Sequence, residues 1–287
     1  MSAVRPNASL SIPPVERVPA RFVFGGVAFE CSASFPFLLD EEHGELAGAF
    51  EDGPVVAAVH CAIERSSSGR RFPDRPRHIA ARRLGPDTLE VESATSHTLL
   101  RRLDHGRYVA MARVAEHRSA SGALLTSVSG ALVEAEGGLV LHATAVELEG
   151  AAHVFIGPSG AGKTTAARLV AGAQWFARDR AAVFPLGGRW WVARHAGGSP
   201  VGLAPSSATV LPLAGIYRVV HGRVRPSLEE PSAPRAMALL RESVQGGITG
   251  HEEARLDTIS DLVGDGRVHV LRTVLGRGLR DALLPVH

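Results

Sequence analysis

A chain of 287 residues that is 45 % hydrophobic and 21 % charged has the apolar content for a sizeable core, in one large domain or two modest ones. Its net charge of +2 excludes a global electrostatic signal for nucleic acid or an anionic membrane. With no eighteen-residue apolar run and no basic start followed by an apolar stretch, neither a transmembrane helix nor a signal peptide is expected, and the expected location is the cytoplasm. Cys31 and Cys61, the only cysteines, show no disulfide framework and no zinc spacing, and read as packed small residues in a reducing compartment.

In chain order, residues 1–20 are proline-marked and read as an irregular arm. Residues 21–31 suggest a strand broken at Gly25 and Gly26, and the segment 34–50 carries no clear pattern. A β-branched strand is expected over 55–63 and a polar loop over 66–76. Short strands follow at 79–83, 88–92, 98–103 and 107–115, where Leu89 and Val91 alternate with Glu90 and Glu92. Their close spacing predicts an antiparallel β-rich N-terminal region over 1–119. Leu124, Leu125, Val128, Leu132 and Val133 give helical spacing over 121–136, and Gly137-Gly138 stops it. That helix is expected to open a second unit, 120–287. Strands are predicted at 139–147, 151–156, 174–176, 181–184 and 189–194. A loop over the site is expected at 196–207 and a hairpin at 215–226. Helices are expected at 233–244, 252–263 and 274–284, with a strand at 267–273.

Gly157-Pro158-Ser159-Gly160-Ala161-Gly162-Lys163-Thr164 fits the phosphate-binding pattern G-x-x-x-x-G-K-[ST]. An apolar strand precedes it, and a helix from Thr165 to Gly172 is expected after it. Glycines let the backbone turn its N–H groups onto an anion, and a following helix adds the positive end of its dipole. A nucleotide is the expected ligand, held by residues 157–165, with Lys163 on the β- and γ-phosphates and Thr164 on Mg²⁺. Lys163 is the single lysine among 31 basic residues, at a position where a compact ammonium on a flexible stem suits better than a planar guanidinium.

Turnover needs a carboxylate to hold metal or take a proton. Asp179, in Ala177-Arg178-Asp179-Arg180, is the first acidic residue beyond the loop helix, at the end of a short apolar segment. It is the candidate base and metal ligand. His142 lies one strand before the loop. Trp190-Trp191 reads as strand packing, His251-Glu252-Glu253 as a solvated helix start, and the arginines between 70 and 83 as a solvated loop. The thirteen histidines show no metal spacing.

Gly137-Gly138-Leu139-Val140-Leu141-His142-Ala143, the glycine loop fifteen residues beyond His142, and Ala177-Arg178-Asp179 together resemble the catalytic domain of HPr kinase/phosphorylase. That family is similar in its nucleotide site to ATP-dependent phosphoenolpyruvate carboxykinases. The resemblance is stronger to small HPr-kinase-like proteins, including kinases of peptide natural-product clusters. It covers about residues 120–245. It implies an α/β nucleotide-binding domain of that type behind a smaller β-rich region. It also implies ATP and Mg²⁺ as the ligands of residues 157–164, an active-site role for His142, base or metal work for Asp179, and transfer of the ATP γ-phosphate to a hydroxyl, such as a serine, of a protein, peptide or small molecule. Two departures stand out. Arg178 occupies the place of the family's first aspartate, and the family's C-terminal signature is absent, which argues against HPr as substrate. Glu229 and Glu230 are the nearest downstream glutamates. The alternative is a nucleotide-binding regulator or scaffold with impaired transfer. An ABC-type ATPase is disfavoured, because the chain lacks an L-S-G-G-Q segment and a strand of four apolar residues running directly into an aspartate.

Overall fold

The computed structural model describes residues 20–33, 54–66, 79–115, 120–196, 203–222, 225–274 and 278–284. Over these residues the chain is mixed α/β, with two large sheets and few helices. The arm before residue 20, the segment 34–50, residues 67–76 of the polar loop and the arginines between 70 and 77 lie outside the described residues. Among the described residues no helix is long and apolar enough to cross a membrane.

The first sheet contains β1 (Ala20–Phe24), β2 (Val27–Ala33), β3 (Ala57–Arg65), β4 (Ala80–Gly85), β5 (Thr88–Glu92), β6 (Ser96–Asp104) and β7 (Arg107–Val114). The strand expected over 21–31 is a hairpin. Gly25 and Gly26, at φ 60 and 80, form its turn, where two successive positive φ values match the twist of the strands. The sheet is not wholly antiparallel: β2, β3 and β7 pair in parallel. The connection from β2 to β3 is long enough for a parallel return. It sets Cys31 directly opposite Cys61. The two free thiols are buried side by side, and their mutual hydrogen bond, with burial, pushes the Cys61 thiol pKa up. Linear spacing gave no hint of that contact. Glu90 is also buried, contrary to simple alternation, because Arg82 and His97 pair with it.

α1 (Ala120–Ala135) follows. Its Leu124, Leu125, Val128, Leu132 and Val133 are all buried, and a helix apolar around most of its circumference belongs in an interior. It lies between the first sheet and the second, and Leu125 and Val128 share one apolar core with Phe24 and Leu100 on one side and Phe184 and Ala193 on the other. Gly138 ends the segment in a tight contact. A Cβ there would lie 2.6 Å from Val133 Cγ1 and 2.8 Å from the Val183 carbonyl, so only glycine fits.

The rest of the chain is β8 (Leu139–Leu141), β9 (Ala143–Leu148), β10 (Ala151–Ile156), α2 (Lys163–Leu169), β11 (Gln174–Ala177), β12 (Arg180–Leu186), β13 (Arg189–Ala196) and β14 (Val210–His221), then β15 (Ser227–Glu229), α3 (Ala233–Arg241), β16 (Ile248–Thr249), α4 (Glu252–Gly264), β17 (Val268–Thr273) and α5 (Leu279–Leu283). The second sheet runs β11-β9-β10-β14-β13-β12-β8, with β17 beside β14 and β15 beside β17. β14 bends between two halves: residues 210–212 pair with β13, and residues 213–221 pair in parallel with β10 and β17. The two halves face each other across an apolar core that includes Leu141, Val183, Ile156 and Ile216, closed by Leu240 of α3 and Leu262 of α4. α2 and α5 cover the other face. β16 crosses the expected division at residue 120 and pairs with β4 of the first sheet.

Two further expectations change. The hairpin at 215–226 is absent among the described residues, because β14 continues unbroken to His221 and β15 turns to β17 instead. The last helix is shorter, starting at Leu279 after Gly278 at φ 99.

His153, Tyr217 and His269 stack across β10, β14 and β17 with ring centroids 5.6 Å apart at each step. The Tyr217 hydroxyl bonds His153 Nδ1 at 3.1 Å. Burial pulls the His153 pKa down to about 4, and burial with the nearby Arg180 charge pulls His195 down to about 3. An unfolded histidine titrates near pH 6.5. Between pH 6.5 and 4 the unfolded chain therefore binds protons that the fold refuses, so stability falls as pH falls, by up to about 1.4 kcal/mol per pH unit for each ring. Urea unfolding is expected to show a lower midpoint at pH 5 than at pH 7, with a smaller drop in His153→Gln.

Candidate functional site

β10 ends at Ile156, and residues 157–162 turn the chain into α2. Gly160 and Gly162 stand at φ 79 and 89, values that a side chain would strain. Ala161 N–H donates to the Pro158 carbonyl at 3.1 Å. α2 begins at Lys163, two residues earlier than expected, and is done by Leu169, because Val170 is extended and Gly172 takes φ 77. Lys163 is buried, and its ammonium donates to the carbonyls of Gly157 at 2.8 Å and Pro158 at 3.1 Å. Burial lowers the Lys163 pKa; the Asp179 charge opposes this and Arg218 adds to it. Thr164 is half-buried, while Thr165, Pro158, Ser159 and Gly160 are exposed.

His142 and Asp179 lie at two crossings between the halves of the second sheet. The single strand expected over 139–147 is divided at His142: Leu139–Leu141 pairs with β12, whereas Ala143–Leu148 pairs with β10 and β11. The Ser243 carbonyl causes the break by capturing His142 N–H at 2.6 Å. The second crossing is the turn from β11 to β12. There Arg180 N–H donates to the Arg178 carbonyl at 2.7 Å around Asp179 at φ 62. This is the positive-φ γ-turn, a rare and strained form. His142 Nδ1–H donates to the Asp179 carbonyl at 3.2 Å and joins the crossings. A neutral His142 then presents Nε2 as an acceptor. Because Ala143 is in register with Ile156, His142 stands beside the start of the glycine loop.

Arg178 sits 3.6 Å from the Asp179 carboxylate, with both side chains about half exposed or more. Such a surface pair is worth at most about 1 kcal/mol and does not lock the carboxylate away. Arg218 and His221, on β14, are site neighbours that pattern reading missed. Arg218 is in register with Ile156, and its Nε lies 3.7 Å from where a Gly157 Cβ would be. It also holds Glu242 at 2.8 Å, so Glu242 is a downstream carboxylate linked to the loop's flank. Glu229 is instead engaged by Arg235 and Arg272. His221 Cε1 lies 3.8 Å from a Gly162 Cβ position. Only parallel pairing between strands sixty residues apart brings these residues in, and no local spacing signals that.

The described part of the expected covering loop, residues 203–207, lies elsewhere. Trp175 N–H bonds Ala204 and the Ser206 hydroxyl bonds Glu147. Glu147 is opposite Ala152, at the far end of β10 from the glycine loop. Outside the site, Trp190 donates to Asp265 at 2.7 Å and Trp191 to the Leu186 carbonyl, in keeping with strand packing. His251 is buried at the start of α4, not solvated. Glu90, Glu92 and His97 draw together on β5 and β6, a cluster that separation in sequence had hidden. Glu90 is already committed to Arg82 and His97, which hold its carboxyl below the usual range.

Comparison with protein-family models and with curated proteins found no significant match.

Asparagine tolerates the left-handed region, and a β-branched residue does not. Asp179→Asn is expected to leave the thermal midpoint almost unchanged. Asp179→Val is expected to cost about 1–3 kcal/mol, measured by chemical denaturation.

Proposed function

We propose that the chain binds ATP at the glycine loop and transfers its γ-phosphate to a hydroxyl of a protein, peptide or small-molecule acceptor. One observation carries this reading. A buried ammonium, Lys163, is bonded to loop carbonyls alone, within a loop whose glycines leave the backbone free to face an anion. Phosphate oxygens are the natural partners of such a group. α2 has only seven residues, so the reading rests on the loop and its lysine more than on a helix dipole.

The donor set also suits Mg²⁺, which Thr164 and Asp179 would hold and which would neutralise phosphate charge. The chain's own residues supply the rest. Lys163 binds the phosphates, and Arg218 adds positive charge at the loop's flank. The acceptor oxygen forms a bond to the γ-phosphorus as the bond to the ADP oxygen breaks, and the hydroxyl proton passes to the Asp179 carboxylate. His142 steadies Asp179 through the backbone carbonyl. The HPr-kinase-like fold belongs to this proposal, with residues 120–287 as the kinase-like unit and a cytoplasmic setting where ATP is present. Its support is that His142 and Asp179, the two positions implied by the resemblance, meet beside the loop.

Arg178, next to Asp179 where a second carboxylate would stand, favours a second reading: a nucleotide-binding module without transfer. Lys163→Ala is expected to weaken ATP binding at least about tenfold, the effect of losing one charge-assisted contact. Asp179→Asn is expected to keep binding and lose transfer by about 10²–10⁴-fold, the usual contribution of a general base. Calorimetric titration and radiolabelled phosphate transfer measure the two. Tight binding of Mg²⁺-ATP with neither hydrolysis nor transfer in the unaltered protein would decide for the module.

A further inference from the structure

The first sheet, α1 and the second sheet line a half-open cavity of about 980 Å³, the size of a small-molecule or short-peptide site. Its wall includes Val140, Arg180 and Gln245. These belong to the segments that build the candidate site from the other side: Val140 is two residues before His142, Arg180 follows Asp179, and Gln245 is two residues after Ser243. Gln245 N–H donates to the Val140 carbonyl at 2.8 Å, so this part of the wall is one hydrogen-bonded unit.

The polar groups of the lining are unevenly satisfied. Glu134 is spent on Arg255, at 2.6 and 3.1 Å, and on the Ile248 N–H at 3.0 Å. Among the described residues the Arg180 guanidinium makes no hydrogen bond or ion pair, although the neighbouring Asp179 charge acts on it. His195 is fully buried in the same wall. The Ser129 hydroxyl donates to the Leu125 carbonyl at 2.6 Å, so it accepts from His195 Nε2 at 2.9 Å. That fixes the proton on Nε2 and leaves Nδ1 an acceptor without a donor. Gln245 Oε1 is a second acceptor without a donor. Both acceptors are closed to solvent, so the Arg180 guanidinium is the charged group that this wall offers to the cavity beside Asp179. A guanidinium on a cavity wall, with no direct partner among the described residues, suits an anion that offers paired oxygens.

We propose that this cavity receives the phosphate acceptor, an anionic molecule whose carboxylate or phosphate pairs with Arg180. The anion site stands on the cavity alone; its role as acceptor site rests on the kinase reading above. A planar guanidinium suits either anion, since both offer paired oxygens. The peptide bond between Asp179 and Arg180 then joins the proton-accepting carboxylate to the acceptor's anchor.

The test uses the full chain carrying Lys163→Ala, so that the glycine loop does not answer to anions. Arginine modification by phenylglyoxal, mapped by mass spectrometry, is followed at Arg180 with citrate or inorganic phosphate as probe. Protection of about tenfold by citrate assigns a carboxylate, and the same by phosphate alone assigns a phosphate. An unchanged Arg180 rate with both probes overturns the site. In the otherwise unaltered chain, Arg180→Gln and the cavity-filling Ala123→Phe are each expected to keep ATP binding and lose phosphate transfer at least tenfold. Transfer at the unaltered rate in both variants overturns the acceptor role. Anion protection in a chain that never transfers phosphate supports the site and overturns the kinase reading, so the two fail separately.

Discussion

The hydrogen bond from His142 Nδ1–H to the Asp179 carbonyl ties together the two places where the chain passes between the halves of the second sheet. Its own net worth is about 1 kcal/mol, whereas a strained positive-φ residue costs about 1–3 kcal/mol. The bond therefore cannot hold Asp179 in place by itself. What holds it is pairing on both sides. β11 is fixed against β9, and β12 against β8 and β13, so the connecting turn has only Arg178 and Asp179 with which to reverse. Ser243 acts in the same way on His142 by taking its N–H out of the strand ladder. The crossings are imposed by the sheets, and the hydrogen bond sets their mutual orientation.

That arrangement explains the electrostatics of the glycine loop. Lys163 is buried, which disfavours its charge, and Arg218 adds a second cation. Asp179 is the counterweight: its negative charge pushes the Lys163 pKa back up. Carboxylate and ammonium are not directly paired, because Lys163 bonds to the loop carbonyls. Neither is consumed by the other, so both remain free for chemistry in the proposed reading. Arg178 is the modest exception, since its exposed contact with Asp179 is weak enough to yield to a stronger partner.

Local patterns made the strands and helices legible because they depend on neighbours in sequence. The strand at β5, the helical spacing of α1 and the glycine loop were all readable for that reason, although the burial of Glu90 was not. The division of the 139–147 strand was not, because it depends on Ser243, a hundred residues away. Nor were the Cys31–Cys61 pair, the Glu90–Glu92–His97 cluster or the approach of Arg218 to Gly157. Each arises from strand register, and a shift of one residue would remove it. Asp179 was legible from its place beyond the loop helix and His142 through the resemblance; their meeting through a side-chain-to-backbone bond is a tertiary fact.

The burial of α1 has a consequence for how the two sides of Asp179 are related. A helix apolar on nearly every face must be covered on both, and the first sheet supplies the second cover. The gap left between these covers is the cavity that Arg180 enters. One strained turn thus faces two ways. Asp179 acts electrostatically on the lysine of the glycine loop, while Arg180 lines the space beneath α1 and acts on His195. Adjacent residues in so tight a turn cannot move independently. An occupant that engages Arg180 would bear directly on the backbone that carries Asp179, so in the proposed reading acceptor binding and base positioning are one mechanical event.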